Sequence, residues 1–363
     1  MIGNDAIVLI IYSNLKIIHS YIYDQYYLTE NFLKTSNRRE YIYDMKTIVF
    51  PRTSESAKLA KAFGYDEWLI SRFMEYVPDV NRFLETMDGQ PKQYIRTNTI
   101  KISSADLKKK LTSKGFQLKE TLIQDVFAIE KSSFPVGATT EYLLGYYYMQ
   151  DLSSCIAVEA LDVHGNQCIL DMASAPGGKT TFIAQKMKNT GSIIAIDINS
   201  ARVNSLKFNI ARCGVMNCCI FRMDSSQVTD LNMKFDRVLL DAPCSCEGVI
   251  MRDKNRKTSH TTQDIEHCVS HQMRLAEAAV KVVRPGGLLV YSTCSFAPEE
   301  NENIINSLLG RFDIKIEPVE YGTSGLTKFG EIKFHDTIKN TKRLYPHIHD
   351  TLGFYIAKVR INN

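Results

Sequence analysis

The chain has 363 residues, of which 44% are apolar and 23% are charged, and its formal net charge is +4. This composition excludes a mostly disordered chain, a coiled coil and a collagen-like repeat, and the length predicts two domains. The small positive charge permits a polyanionic partner without requiring one.

Two further features bear on location. The longest apolar run near the N-terminus, residues 6–12, is far shorter than the roughly 20 residues that a membrane-spanning helix needs. Nine cysteines without a regular C-x-x-C spacing indicate reduced thiols rather than a disulfide framework. We therefore expect a soluble, cytoplasmic protein that acts as a monomer and has no membrane partner.

The first 50 residues are rich in Tyr, Ile and Asn and show neither a helical nor a strand period. We predict a poorly ordered or non-native extension over residues 1–50, with Met45 as the alternative start. The other interpretation is an aromatic tail whose rings stack on single-stranded nucleic acid.

Residues 51–150 have the mixed pattern of a small α+β domain. The predicted elements are a helical stretch over residues 52–85, a strand over 94–98, a helix over 105–113 and a strand over 126–129. Gly115 is typical of the position that follows a helix C-terminus.

Residues 151–363 alternate between strand and helix patterns. The predicted strands are 168–172, 192–197, 217–221, 235–241 and 288–292, and the predicted helices are 178–187, 200–212 and 262–283. This alternation predicts a parallel sheet built from βαβ units. Ligands of such sheets bind outside the carboxyl ends of the strands, so the residues at those ends are the candidates for function.

The first of these strands is followed by a glycine-rich turn that opens a helix. The turn comprises Ala173, Ser174, Ala175, Pro176, Gly177, Gly178 and Lys179. Backbone amides and a helix N-terminus can approach a ligand closely at such a turn. Asp197 ends the second strand, where a carboxylate can accept hydrogen bonds from both ribose hydroxyls, and Asp224 after the third can reach an adenine amino group. Together they predict a nucleoside-binding site.

The same turn differs by one residue from the phosphate-binding loop G-x-x-x-x-G-K-[ST] of nucleotide hydrolases. Ala173 stands where that loop has its first glycine, and Pro176 removes a backbone donor from the phosphate cradle. Ala242, Pro243 and Cys244 also stand where a hydrolase would place a residue that positions water. A hydrolase is therefore the weaker interpretation.

Two cysteines end adjacent predicted strands and face the same cleft. Cys244 follows Asp241 on the fourth strand, and Cys294 follows the fifth. A buried thiol is most often only a small apolar group. Two thiols at a nucleoside cleft suit cytosine methylation, because a thiolate that adds to C6 makes C5 nucleophilic. Asp241 can provide a hydrogen bond at N3, and the second cysteine can assist elimination.

These motifs resemble the NOP2/Sun (RsmB/RsmF) family of S-adenosylmethionine-dependent RNA cytosine-5 methyltransferases. The resemblance covers residues 55–360 and rests on D-M-A-S-A-P-G-G-K (171–179), D-A-P-C-S (241–245), Y-S-T-C-S (291–295), R-L-Y-P-H (343–347) and G-F-Y-I-A-K (353–358). It implies a class I, Rossmann-like catalytic domain over residues 151–363, with a mostly parallel seven-stranded sheet. It also implies that residues 51–150 are an RNA-binding domain.

The resemblance assigns roles position by position. Cys294 matches the nucleophile, and Cys244 matches the cysteine needed for product release. Residues 173–179, Asp197, Asp224 and Asp241 match the contacts to S-adenosylmethionine. The family divides between transfer RNA and ribosomal RNA, and the compact chain looks most like archaeal members, which favours transfer RNA. A non-catalytic RNA-binding or assembly protein is the alternative class.

The chain departs from the family at two places. Ala173 and Ser174 replace a Cys-Ala pair of similarly small residues, and Cys246 replaces the glycine that usually follows in the loop after Cys244. A cysteine at a position of positive φ would strain this turn. We expect no metal site; the alternative would combine Cys244, Cys246, Cys268 and His271, whose spacing is poor.

Basic residues flank the predicted cleft. They are Lys108, Lys109, Lys110, Arg252, Lys254, Arg256, Lys257, Lys328, Lys333, Lys339, Lys342 and Arg343. They form either a rim that binds RNA phosphates or scattered solvated charge.

Overall fold

The structure is a computed structural model that describes residues 46–362, so the predicted extension over residues 1–50 lies almost entirely outside the described residues. Of the five residues of it that are described, Thr47, Ile48 and Phe50 contact the C-terminal half of the chain, whereas Lys46 and Val49 are exposed. The Thr47 N–H donates to Glu266 Oε1 over 2.9 Å, and the Phe50 ring lies 5.4 Å from that of Phe329.

The described residues form short N-terminal helices, an antiparallel sheet and a large mixed sheet. The α-helices are α1 (Ser54–Phe63), α2 (Glu67–Tyr76), α3 (Val80–Asp88), α4 (Ser104–Thr112), α5 (Thr140–Leu143), α6 (Leu152–Ala160), α7 (Gly178–Lys186), α8 (Ser200–Cys213), α9 (Thr262–Val282), α10 (Glu302–Leu309) and α11 (Pro346–His349). The strands are β1 (Gln93–Thr97), β2 (Gln117–Glu120), β3 (Val126–Lys131), β4 (Tyr147–Met149), β5 (Cys168–Asp171), β6 (Ser192–Ile196), β7 (Cys218–Phe221), β8 (Phe235–Asp241), β9 (Val283–Thr293), β10 (Ile314–Glu317), β11 (Thr323–Ser324), β12 (Lys328–Phe329), β13 (Ile332–Lys333), β14 (Lys342–Leu344) and β15 (Phe354–Ile361).

The predicted helical stretch over residues 52–85 is three helices. Thr53 begins α1 with a capping box, and Gly64, at φ 70°, ends it. Pro78 disfavours helical backbone at the residue before it, so α2 ends at Tyr76, and Asp79 caps α3 through its side chain.

The N-terminal sheet is antiparallel and has the order β2-β3-β1-β4. Ile95 of β1 lies opposite Phe127 of β3 and Met149 of β4. Leu107 and Leu111 of α4 are fully buried in the core that covers this sheet. The sequence predicts β1, β3 and α4, but the short strands β2 and β4 lie in segments that read as connections.

The main sheet is Rossmann-like and has the order β11-β14-β15-β9-β8-β5-β6-β7, with β10 also paired to β15. The five strands β5 to β9 are parallel, as predicted, whereas β15 runs antiparallel to β9. The sheet has nine strands rather than seven, because β10 and β14 lie end to end along β15 and β11 adds a further edge.

The topology fixes where a ligand can bind. The chain runs from β5 outward through β6 and β7 and then returns to β8 on the other side of β5. This reversal makes the carboxyl ends of β5 and β8 the switch point, where a crevice forms. None of the described helices has the length and apolar character that crossing a bilayer would require.

Candidate active site

The glycine-rich turn after β5 is held between β6 and α8. The Ser174 N–H and hydroxyl both donate to the Ile196 carbonyl over 2.9 Å. Gly177 has φ 105°, and a Cβ there would lie 3.0 Å from Leu206 Cδ1. A Cβ on Gly178 would lie 3.3 Å from Tyr148 Cε1, so a side chain at either glycine would force its neighbour to shift. Backbone thus lines the N-terminus of α7.

Asp197 lies beside this turn, as its position at the end of β6 predicts. Its Oδ2 accepts a hydrogen bond from the Ala175 N–H over 3.2 Å, and its Oδ1 accepts one from the Asn199 N–H over 3.0 Å. The guanidinium of Arg202 lies 3.7 Å away. These contacts hold a buried carboxylate at the edge of the crevice.

Asp224 follows β7 and begins a short 3₁₀ helix. Its Oδ1 accepts a hydrogen bond from the Ser226 N–H over 2.9 Å, while the Ser225 hydroxyl donates to the Met172 carbonyl in the turn after β5. The structure therefore places the ends of β5, β6 and β7 side by side, with Asp197 and Asp224 on neighbouring loops.

Asp241 forms an ion pair that the sequence does not predict. Its Oδ2 lies 2.7 Å from Lys179 Nζ, and its Oδ1 accepts a hydrogen bond from the Ser292 hydroxyl over 2.8 Å. Burial works to lower the pKa of Lys179, but the charge and hydrogen bond of Asp241 outweigh it and raise that pKa. Lys179 is therefore a protonated donor at the switch point.

The structure brings the two predicted catalytic thiols together. Cys244 Sγ lies 3.3 Å from Cys294 Sγ, and Cys246 Sγ lies 3.9 Å from Cys244 Sγ. All three sulfurs lie within 4.8 Å of one another, and we call them the thiol cluster. Cys268 and His271, which the alternative metal set requires, are not in this group.

The three thiols compete for one negative charge. Hydrogen bonds from Cys244 and Cys294 lower the pKa of Cys246, while the hydrogen bond to Cys246 raises the pKa of Cys244. The hydrogen bond from Cys244 lowers the pKa of Cys294. The hydrogen bond to Cys246 and burial together outweigh this effect, so the pKa of Cys294 is raised overall. A single thiolate is stabilised by two S–H donors, whereas a second one would meet like charge.

Cys246 has the positive φ that the family's usual glycine at this position suggests. Its φ is 63° and its ψ is 31°, in the left-handed region. This conformation costs a residue with a Cβ about 1–2 kcal/mol, and glycine avoids the cost. The third thiol therefore stands at a strained position.

Glu300 is a buried residue that sequence reasoning missed. Its Oε2 accepts hydrogen bonds from the Ser245 N–H over 2.9 Å and from Gln272 Nε2 over 2.8 Å. Its Oε1 accepts them from the hydroxyls of Ser245 and Ser295. The one signal in the sequence is the serine that follows each of Cys244 and Cys294, because both serines bind this carboxylate. Glu300 thus joins the two cysteine turns.

Two glycines bring the thiol turn against the start of β15. The Gly248 N–H donates to the Cys294 carbonyl over 2.8 Å, and the Gly353 N–H donates to the Gly248 carbonyl over 3.0 Å. A Cβ on Gly353 would lie 2.1 Å from Phe296 Cζ, so this close approach requires glycine.

Part of the predicted basic rim is structural. Arg343 is buried and paired with Glu302, so its assignment to the rim is wrong. Lys257 contacts Asp88 over 2.8 Å, and Lys254 donates to the Met87 carbonyl over 2.6 Å. These two lysines join the loop after β8 to the last residues of α3. The exposed members of the predicted rim include Arg252, Lys328, Lys333 and Lys339.

Two family models match the chain. A model described as 16S rRNA methyltransferase RsmB/F matches residues 158–360, which is more than half of the chain. A second, described as the ferredoxin-like domain of RsmF/B-like methyltransferases, matches residues 65–136, which include the N-terminal antiparallel strands β1 to β3.

Individual proteins that resemble this chain are also methyltransferases or methyltransferase homologs. The chain is 40% identical over 312 residues to a mouse 28S rRNA (cytosine-C(5))-methyltransferase, covering 83% of this chain and 39% of that protein. It thus spans about two fifths of that relative's length. A crystal structure of a methyltransferase homolog from Pyrococcus horikoshii superposes with a TM-score of 0.79 at 39% identity, covering 85% of this chain and 99% of the other. NSun6 from the same organism, solved with SFG, gives a TM-score of 0.70 at 25% identity, covering 85% and 97%.

Proposed function

Because the chain belongs to the RsmB/F methyltransferase family, we propose that it transfers a methyl group from S-adenosylmethionine to C5 of a cytosine in ribosomal RNA. The thiol cluster carries this proposal. Cys244 and Cys294 lie 3.3 Å apart at the carboxyl ends of adjacent parallel strands, beside the Lys179–Asp241 pair. Family membership also removes the nucleotide hydrolase from consideration.

The turn after β5 fits S-adenosylmethionine by its shape and its donors. Gly177 and Gly178 let the turn pack closely against Leu206 and Tyr148, and the N-terminus of α7 offers backbone amides. Asp197 suits the ribose hydroxyls, and Asp224 on the next loop suits the adenine amino group. Bound there, S-adenosylmethionine would supply the methyl group from its sulfonium.

The thiols divide the work in this proposal. The Cys294 thiolate adds to C6 of the cytosine, so that C5 becomes enamine-like and takes the methyl group. Lys179 and Asp241 hold the pyrimidine edge, with a hydrogen bond at N3 that stabilises the adduct. Cys244, as its thiolate, then takes the C5 proton. The electrons of the broken C5–H bond re-form the C5–C6 double bond as the Cys294 thiolate leaves.

Ribosomal RNA replaces transfer RNA as the favoured substrate. The sequence alone favours transfer RNA, but the mouse relative is named for 28S rRNA, and the matching family is named for 16S rRNA. The higher-identity relatives carry names for 25S, 26S or 28S rRNA, and this favours a large-subunit site. The target cytosine must leave any base stack to enter the crevice. The exposed basic residues and the N-terminal domain are the proposed RNA contacts.

Methyl transfer to RNA tests the proposal. The full chain would be given labelled S-adenosylmethionine with unmodified large-subunit, small-subunit and transfer RNA transcripts, and products would be mapped by bisulfite sequencing. We expect label at a cytosine C5 of large-subunit RNA and none with Cys294→Ala. Label only on transfer RNA would overturn the assignment of ribosomal RNA as the substrate. RNA binding without label on any transcript would support the non-catalytic alternative.

The roles of the two cysteines need a separate measurement. Cys244→Ala should accumulate a covalent RNA adduct that survives denaturing electrophoresis, because elimination is slowed. Cys268→Ala removes a thiol outside the thiol cluster and should turn over normally. An adduct that persists in the Cys244→Ala, Cys294→Ala double variant would contradict Cys294 as the nucleophile.

A further inference from the structure

We propose that Cys244, Cys246 and Cys294 form a three-thiolate site for a thiophilic divalent cation such as Zn²⁺. The sequence predicts no metal site, and the spacing of these residues along the chain gives no sign of one. The folded chain brings the three sulfurs within 4.8 Å of one another. Thiolates are preferred zinc ligands, and three of them leave one coordination position for water or a substrate atom.

The distances between the sulfurs suit tetrahedral coordination. Zn–S bonds of about 2.3 Å at tetrahedral angles place the sulfurs about 3.8 Å apart. The observed separations are 3.3 Å for Cys244 and Cys294 and 3.9 Å for Cys244 and Cys246, and the third pair lies within 4.8 Å. The shifts needed to reach about 3.8 Å are at most about 1 Å, which is within the reach of side-chain rotation.

The turns that carry the thiols are fixed before any cation arrives. Glu300 holds Ser245 and Ser295, the residues that follow Cys244 and Cys294. The left-handed backbone of Cys246 is retained despite its cost, with Cys246 Sγ near both other sulfurs. A site whose ligands are already held in place loses little conformational freedom when it binds.

The surroundings suit a thiolate-bound cation. Three thiolates and one divalent cation leave one net negative charge. The Arg256 guanidinium donates to the Ser245 carbonyl over 3.1 Å. Its positive charge lies close enough to favour the Cys246 thiolate. His260, which is 7% exposed, also acts electrostatically on Cys246. Its Nε2 is buried without a hydrogen-bond partner among residues 46–362, so it is available to a water in the fourth position.

Occupancy of the site would block both thiols that the proposed methylation uses. A cation on the thiol cluster would hold Cys294 away from cytosine C6, so Zn²⁺ would act as a reversible inhibitor. Binding itself rests only on the geometry of the thiol cluster. The inhibitory consequence rests on the proposed function, and the two are measured separately.

Binding is tested on the full chain without RNA or S-adenosylmethionine. Reduced protein would be titrated with Co²⁺, whose thiolate charge-transfer and tetrahedral ligand-field bands identify the ligands, and Zn²⁺ affinity would be obtained by competition with a chromophoric chelator. We expect one cation per chain, with weaker binding at pH 6 than at pH 8 because the thiols must release protons. No thiolate-to-cobalt band in the reduced protein would overturn the proposal.

The ligands are assigned with matched variants. Cys246→Gly restores a residue suited to the left-handed backbone, so it should fold, and we expect it to lower Zn²⁺ affinity by at least about 100-fold, since even outer-shell partners are worth about 10–100-fold. Cys246→Ser, checked by circular dichroism, should show the same loss. Cys268→Ala should bind as the parent does. Equal affinity in Cys246→Gly and the parent would overturn the three-thiolate site.

Inhibition by Zn²⁺ is measured only after methyl transfer to RNA has been detected. Zn²⁺ should inhibit methylation reversibly, with activity restored by a chelator, and the concentration for half inhibition should rise at least about 100-fold in Cys246→Gly, in parallel with affinity. Inhibition unchanged in that variant would overturn this part. Failure to detect any methyl transfer would count against the proposed function and leave the cobalt result intact.

Discussion

Substitutions of Glu300 can distinguish the hydrogen bonds that its two carboxylate oxygens accept. Oε2 accepts from the Ser245 N–H and Gln272 Nε2, which can only donate, whereas Oε1 accepts from the hydroxyls of Ser245 and Ser295, which can also accept. In Glu300→Gln the amide oxygen can keep the first pair, and the amide nitrogen can donate to the hydroxyls once these rotate. In Glu300→Ala the Ser245 N–H and one hydrogen of Gln272 lose their acceptor.

The magnitudes follow from that difference. Glu300→Gln exchanges charge-assisted hydrogen bonds for neutral ones, and we expect it to lower the free energy of unfolding by about 1–2 kcal/mol. Each buried donor without an acceptor costs about 1–3 kcal/mol, so Glu300→Ala should lower it by about 2–6 kcal/mol. Methyl transfer should follow the same order, because both cysteine turns depend on this carboxylate.

Urea unfolding of the full chain, followed by circular dichroism at pH 7, measures both variants. Glu331→Ala, at an exposed carboxylate, is the control and should change stability by no more than about 0.5 kcal/mol. Equal destabilisation by Gln and Ala at position 300 would refute the assignment of donors to the two oxygens. A loss no larger than that of the control would refute the network itself.

Three further predictions concern other parts of the fold. Glu299→Gln leaves the buried Arg72 charge without its carboxylate and should cost about 3–5 kcal/mol in urea unfolding, whereas Glu120→Gln in an exposed pair should cost under about 1 kcal/mol. Burial raises the pKa of Asp171 to about 6, so its ionisation removes stability as pH rises from about 4 to 6; Asp171→Asn should show a smaller fall in unfolding midpoint over that range. Gly353→Ala should cost about 1–3 kcal/mol by overpacking and lower the thermal midpoint, and an unchanged midpoint would contradict the close approach.

The sequence predicts the parallel centre of the main sheet well, because buried parallel strands read as apolar runs separated by helical patterns. It misses β10, β11 and β14. The last two have only two and three residues, too few to show alternation, and β10 is a single four-residue stretch at the sheet edge. β15 is longer, but the sequence analysis uses its first residues, within 353–358, only as part of the family resemblance and predicts no strand there. Its role as the partner of β9 depends on contacts between distant parts of the chain.

The candidate site divides in the same way. The glycine-rich turn and Asp197 follow from local pattern, and the structure places them together. The Lys179–Asp241 pair depends on the register of β5 and β8, which no local pattern records. Glu300 lies in a run of polar residues that reads as solvated surface, and only the fold shows that it is buried.

The contact between Gly248 and Gly353 has a consequence for the order in which the protein matures. A ribosome releases the N-terminal part of a chain first, so the loop that carries Cys244 and Cys246 emerges well before the segment that packs on Gly248. During that interval β15 is missing from its place beside β9. The nascent protein therefore carries Cys244, Cys246 and Cys294 in an unfinished pocket until the segment that contains Gly353 and β15 has also been synthesised.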